Sequence, residues 1–96
     1  MTFDELTASI ARGAEPAGLS PPVRALWLDA TGDWNGAHDL ANEIANADGA
    51  RIHAYLHRKE GDLDNARYWY RQARRPPFEG SLQQEWSALA RELLGV

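Results

Sequence analysis

Apolar residues recur at three- and four-residue intervals along this chain, in runs separated by residues that stop helices. Thr2 and Glu5 have capping-box spacing, and Phe3, Leu6 and Ile10 follow on one helical face until Gly13. Residues 14–19 read as a loop. Ser20 is positioned to cap a second helix that opens on Pro21, where a missing N–H costs nothing. That helix carries Val23, Leu26 and Trp27 and stops at Gly32. Asp33 caps a third, with Ala37, Leu40, Ala41 and Ile44 as its stripe, and Asn46 to Gly49 reads as a turn. A fourth helix is expected from about Ala50 to Glu60, ending at Gly61, and a fifth from Leu63 to about Arg74, capped by Asp62. Pro76-Pro77 breaks the chain. Ser81, with Gln84 three residues on, opens a last helix bearing Leu82, Trp86, Leu89, Ala90 and Leu93. No stretch alternates with period two long enough to be a strand. The pattern predicts one all-α domain over residues 1–96, with six helices and short connections.

The pattern also repeats itself. ALWLDATGDWNGAHDLANEI, from Ala25, aligns with AYLHRKEGDLDNARYWYRQA, from Ala54, so that Gly32/Gly61, Asp33/Asp62 and Ala37/Ala66 coincide. Each unit is helix, Gly-Asp turn, helix: glycine permits the left-handed residue that ends one helix, and aspartate accepts the orphan N–H groups that open the next. Alanine four residues after the aspartate allows a close crossing. Such hairpins cannot bury an apolar face alone, so they stack.

GDLDNARYWYRQA resembles the second half of a tetratricopeptide repeat, with Gly61, Asp62 and Leu63 at the turn and Ala66, Tyr70 and Ala73 at packing positions. Pro76 falls near the place of that repeat's closing proline. The first unit is similar through Gly32, Asp33, Trp34, Ala37 and Ala41. HAYLHRKEGDLDNARYWY also looks like a segment of small uncharacterised bacterial and fungal helical-repeat proteins. The resemblance implies two stacked hairpins with an N-terminal helix and a C-terminal capping helix. It also implies a scaffold whose first helices line a groove for a peptide. The repeat departs from the family in its shorter period, and in His53 and His57, which stand where the family packs apolar residues.

Charge and composition narrow the chemistry. Residues 1–50 hold eight acids and two bases, while residues 51–75 hold seven bases and three acids. A basic quarter inside an acidic protein favours an anionic ligand or acidic partner. The overall charge of −4 opposes nucleic acid. The absence of cysteine excludes disulfides, thiolate metal sites and cysteine nucleophiles. No apolar run is long enough for a membrane span, and the polar N-terminus is unlike a secretory signal, so a cytoplasmic location is expected.

Candidate chemistry concentrates between His53 and Tyr70. His53, His57 and Glu60 share one face of the fourth helix, and His38 or Glu60 could complete a metal site with the two imidazoles. Ala54 stands where a zinc protease of HExxH type has its glutamate. Two imidazoles a turn apart are otherwise explained as packed residues bonded to carbonyls, Tyr68 or Asn65. The expectation is therefore no stoichiometric metal, no cofactor and no catalytic set. Arg51, Tyr55, Arg58 and Lys59 occupy the groove positions by alignment, and arginine suits a peptide carboxylate because its planar fork makes two bonds to it. Surface charge is the plainer explanation for these bases, with Arg58 pairing to Asp62 across the turn. Trp34, Trp69 and Tyr68 suggest an aromatic pocket, though core aromatics are the plainer explanation. Asn65, Tyr68 and Trp69 join His38, His53, His57 and Glu60 and the four groove residues as the candidate ligand-binding set. The leading function is a binding or scaffold module for a peptide or acidic partner. The alternative is a small-molecule or metal pocket centred on His53, His57, Glu60 and Tyr68. The last helix is expected to cap the hairpin 50–74 with Trp86, Leu89 and Leu93, leaving Gln83, Glu85 and Arg91 in water. A homodimer through the same stripe is the rival.

Overall fold

A computed structural model describes residues 1–95 as six helices: α1 (Phe3–Arg12), α2 (Pro21–Ala30), α3 (Trp34–Asn42), α4 (Ala47–Lys59), α5 (Leu63–Gln72) and α6 (Leu82–Leu94). No strand occurs among the described residues, and no helix is long and apolar enough to cross a membrane. The boundaries follow local chemistry. Thr2 and Glu5 exchange both capping-box bonds at 3.0 and 2.9 Å, and Ser81 and Gln84 do the same at 3.0 and 2.8 Å. Ser20 starts α2 without a side-chain cap bond. Pro21 and Pro22 leave it few N–H groups to accept from.

The two Gly-Asp turns are superimposable in their bonding. Asp33 N–H donates to Leu28 O at 2.8 Å and Gly32 N–H to Asp29 O at 3.0 Å. Twenty-nine residues on, Asp62 N–H donates to His57 O at 2.9 Å and Gly61 N–H to Arg58 O at 3.1 Å. Gly32 and Gly61 are left-handed, with φ of 94° and 86°. Asp33 and Asp62 each accept from the N–H three residues on, at 2.8 and 3.3 Å.

The turn expected over Asn46–Gly49 is instead the first turn of α4. Asn46 caps it by accepting from Asp48 N–H and Gly49 N–H at 3.0 and 3.4 Å. Gly49 is required there, because a Cβ would lie 2.1 Å from the Ile44 carbonyl oxygen. This early start lets α3 and α4 meet side by side. α2 pairs with α3, α4 pairs with α5, and α3 packs against α4. Ala37 and Ala66 are both buried at the crossings.

The main core joins Leu6, Val23, Leu26, Ile52, Leu56, Trp86 and Leu89, and a smaller cluster joins Ala54, Ala66 and Tyr70. α6 does not sit on the end of the second hairpin. It lies across α2 and α4, touching α1 as well, and so closes both hairpins at once. Trp86 Nε1–H donates to Leu26 O at 3.0 Å, and its ring meets Phe3 edge-on. Leu93 is partly buried against this core, and Gln83 and Arg91 are exposed as expected. Glu85, expected in water, is only 3% exposed.

Candidate functional site

α4 is buried along most of its length and separates two polar environments. One of its faces carries His53 and His57, turned toward α3 and α5. The other carries Tyr55, Arg58 and Lys59, turned toward α2 and α6.

On the first face, i,i+4 spacing stacks residues in pairs. His53 and His57 lie nearly parallel with centroids 5.8 Å apart, and Trp34 and His38 stack at 5.0 Å on α3. His38 points its ring edge-on at both α4 histidines, at 4.8 Å from His53 and 5.1 Å from His57. Trp69, from α5, covers His53 at 4.0 Å and 10°. Trp34 is anchored by its indole N–H, which donates to Leu56 O at 2.9 Å. The three histidines bring ring nitrogens within 4.8 Å of one another.

Each imidazole has a different environment. His57 Nδ1 lies 2.7 Å from Glu60 Oε1, and the carboxylate accepts the Nδ1–H. The Asn65 amide lies 3.5 and 3.4 Å from His57 Nδ1 and Nε2, nearly equidistant from the two. His53 is 2% exposed and its Nδ1 has no hydrogen-bond partner. Burial, followed by the neighbouring His38 and His57, lowers the His53 pKa to about 4. This histidine is neutral at any ordinary pH. His38 is half-buried and completes the cluster from outside α4. A cleft of about 420 Å³, lined by Asn42, Asn46, Gln72, His53 and Trp69 among others, reaches the cluster from solvent.

The second face holds two buried carboxylates. Asp29 accepts from Tyr55 O–H at 2.8 Å and from Lys59 Nζ at 3.0 Å. Glu85 accepts from Arg58 Nη1 at 2.9 Å and from Tyr70 O–H at 2.5 Å. Burial pushes both phenols well above the usual tyrosine range, and the adjacent carboxylates add to the shift. Arg51 pairs with Glu92 at 2.5 Å. Arg58 thus pairs with Glu85 and contacts Gly80 O, while Asp62 caps α5.

The residues singled out in the sequence therefore divide. His38, His53, His57, Glu60, Asn65 and Trp69 come together; Arg51, Tyr55, Arg58 and Lys59 lie on the opposite face of α4. Tyr68 is 45% exposed and meets only the rim of the cluster, edge-on to Trp69 at 5.2 Å. Trp34 belongs to the cluster although it reads as core in the sequence; its position one turn before His38 is the signal. Asp29 and Glu85 carry no such signal, since either would suit a solvated helix face.

No protein-family model, curated protein or solved structure matches this chain. The site stands on its own chemistry, that of three convergent imidazoles inside an indole-lined helical core.

Proposed function

We propose that this domain is a ligand-binding helical module whose site is the imidazole–indole cluster between its two hairpins. The observation that carries the reading is the unpartnered Nδ1 of His53, buried beside two further imidazoles. A buried polar atom without a partner costs roughly 1–3 kcal/mol, and a leucine or phenylalanine at position 53 would avoid that cost. A polar atom left unpartnered in the core, beside two further imidazoles, is a local conflict between sequence and stability of the kind that a binding site produces. The tetratricopeptide-like reading of the hairpins supports an interaction role. The basic face supports it less: Arg51, Arg58 and Lys59, the groups suited to a partner's carboxylate, each hold a carboxylate of this chain.

His53→Phe tests the reading. Phenylalanine keeps the stack on Trp69 and removes the unpartnered nitrogen, so the ligand-free variant should be about 1–3 kcal/mol more stable than wild type in urea unfolding. Destabilisation by this substitution and by the smaller His53→Leu alike, which excludes overpacking by the larger ring, would show that His53 is a packing residue and that the cluster is ordinary core.

A further inference from the structure

We propose that the cluster holds one late first-row transition-metal ion, with His38, His53 and His57 as ligands and Glu60 as the carboxylate that positions His57. The proposal rests on the reading of the cluster as the binding site and names the ligand.

Three observations point to a metal ion rather than to an organic ligand. First, the donors converge from separate elements. α4 supplies two imidazoles a turn apart, and α3 delivers the third across the hairpin interface, with ring nitrogens within 4.8 Å of one another. Tetrahedral coordination with metal–nitrogen bonds of about 2.0–2.1 Å places donors about 3.3 Å apart. Small side-chain rotations close that difference.

Second, the hydrogen bonds prepare donor atoms. Glu60 accepts the His57 Nδ1–H at 2.7 Å, which orients the ring and makes Nε2 the nitrogen that would ligate, with the Asn65 amide 3.4 Å away turning aside. His53 Nδ1 is buried without a hydrogen-bond partner, so that no donor competes for its lone pair. Third, the electrostatics admit a cation. Arg58 and Lys59, adjacent in sequence, are drawn to Glu85 and Asp29 on the opposite face of α4. The carboxylate of Glu60 is the nearest formal charge bonded to the cluster.

The donor set chooses the ion. Three imidazoles, with no thiolate and no carboxylate among the ligands, suit zinc, copper or nickel and not magnesium or calcium. Three protein ligands leave a position for water or a small molecule, and the cleft lined by Asn42, Asn46 and Gln72 reaches His53. His57, Glu60 and Asp62 also lie within 4.8 Å of one another. That second group carries no site of its own, because both carboxylates are exposed and already engaged, Glu60 with His57 and Asp62 with the start of α5.

The test is a zinc titration of the untagged, chelator-stripped full chain, followed by calorimetry and by fluorescence of the tryptophans stacked on the ligands. One Zn²⁺ should bind per chain with Kd below about 1 μM, and Mg²⁺ should not bind. His38→Ala removes a half-buried side chain and so leaves the fold, checked by circular dichroism; it should weaken zinc binding at least about 100-fold. Glu60→Gln should weaken it about 10–100-fold, as loss of an orienting carboxylate does. Absence of zinc binding, or unchanged binding in His38→Ala, would overturn the proposal. Zinc silence alongside a stabilised His53→Phe or His53→Leu overturns only the metal. Zinc silence alongside destabilisation of both overturns the binding site as well.

Discussion

His53 and Glu85 are both polar side chains almost wholly removed from water, yet their environments treat them in opposite ways. Glu85 is saturated by Arg58 and Tyr70, whereas His53 Nδ1 is left alone. The difference has a pH signature. The folded His53 has a pKa near 4 against an ordinary value of 6.5, so between these pH values the unfolded chain binds a proton that the native chain does not. Stability must then fall as pH drops from about 6.5 to about 4 and level off below that range. The loss attributable to this group is on the order of 2–3 kcal/mol. Carboxylates also titrate in this window, so the measurement is a comparison. In metal-free protein, the stability advantage of His53→Phe should widen by that amount between pH 7 and pH 4. A constant gap would mean that His53 titrates normally. At this scale the sequence was legible for the histidines, because i,i+4 spacing alone places His53 and His57 on one face. It was not legible for Glu85, because a lone glutamate on a helix is usually solvated, and only tertiary packing brings Arg58 and Tyr70 to it.

Helix α4 is the element on which everything else depends. It is buried on both long faces, and its polar residues divide by side: imidazoles toward α3 and α5, cations and Tyr55 toward the acids of α2 and α6. The basic residues that suggest a peptide clamp are thereby tied into links between helices. Removing one member of a buried pair leaves the other uncompensated, so Glu85→Ala should cost about 3–5 kcal/mol in urea unfolding. Glu85→Gln should cost less, because its carbonyl can still accept from Tyr70. Equal, small effects would mean that the pair is effectively solvated. The capping residues and Gly-Asp turns were readable directly, since each depends on a bond within a few residues. The start of α4 reads as a turn in the sequence, because Asn46-Ala47-Asp48-Gly49 has turn composition. What decides it is the Asn46 cap and the passage of the Ile44 carbonyl beside Gly49. Gly49→Ala should therefore melt well below wild type, where a glycine in an open helix would gain slightly from alanine.

At the scale of the whole molecule, α6 binds the two hairpins into one body. Trp86, Leu89 and Ala90 complete the core that also contains Leu6, Leu26 and Ile52. Each large side chain buried contributes roughly 1.5–3 kcal/mol, a large share of the stability of so small a domain. A chain ending after Pro77 should lose its cooperative unfolding transition, and a soluble, cooperatively folding truncation would contradict this role. The order of helices and the pairing of hairpins were legible from the 29-residue repeat. The path of α6 was not, because an amphipathic stripe fixes which face is buried without saying against what. The meeting of His38 with His53 and His57 belongs to the same scale, since it depends on α3 lying against α4. The central claim, that this meeting point is a binding site, is tested most directly by native mass spectrometry of the untagged wild type beside His53→Phe. The wild type should carry one retained ligand or ion per chain that the variant lacks. A wild type that travels bare, or the same adduct on both proteins, would contradict it.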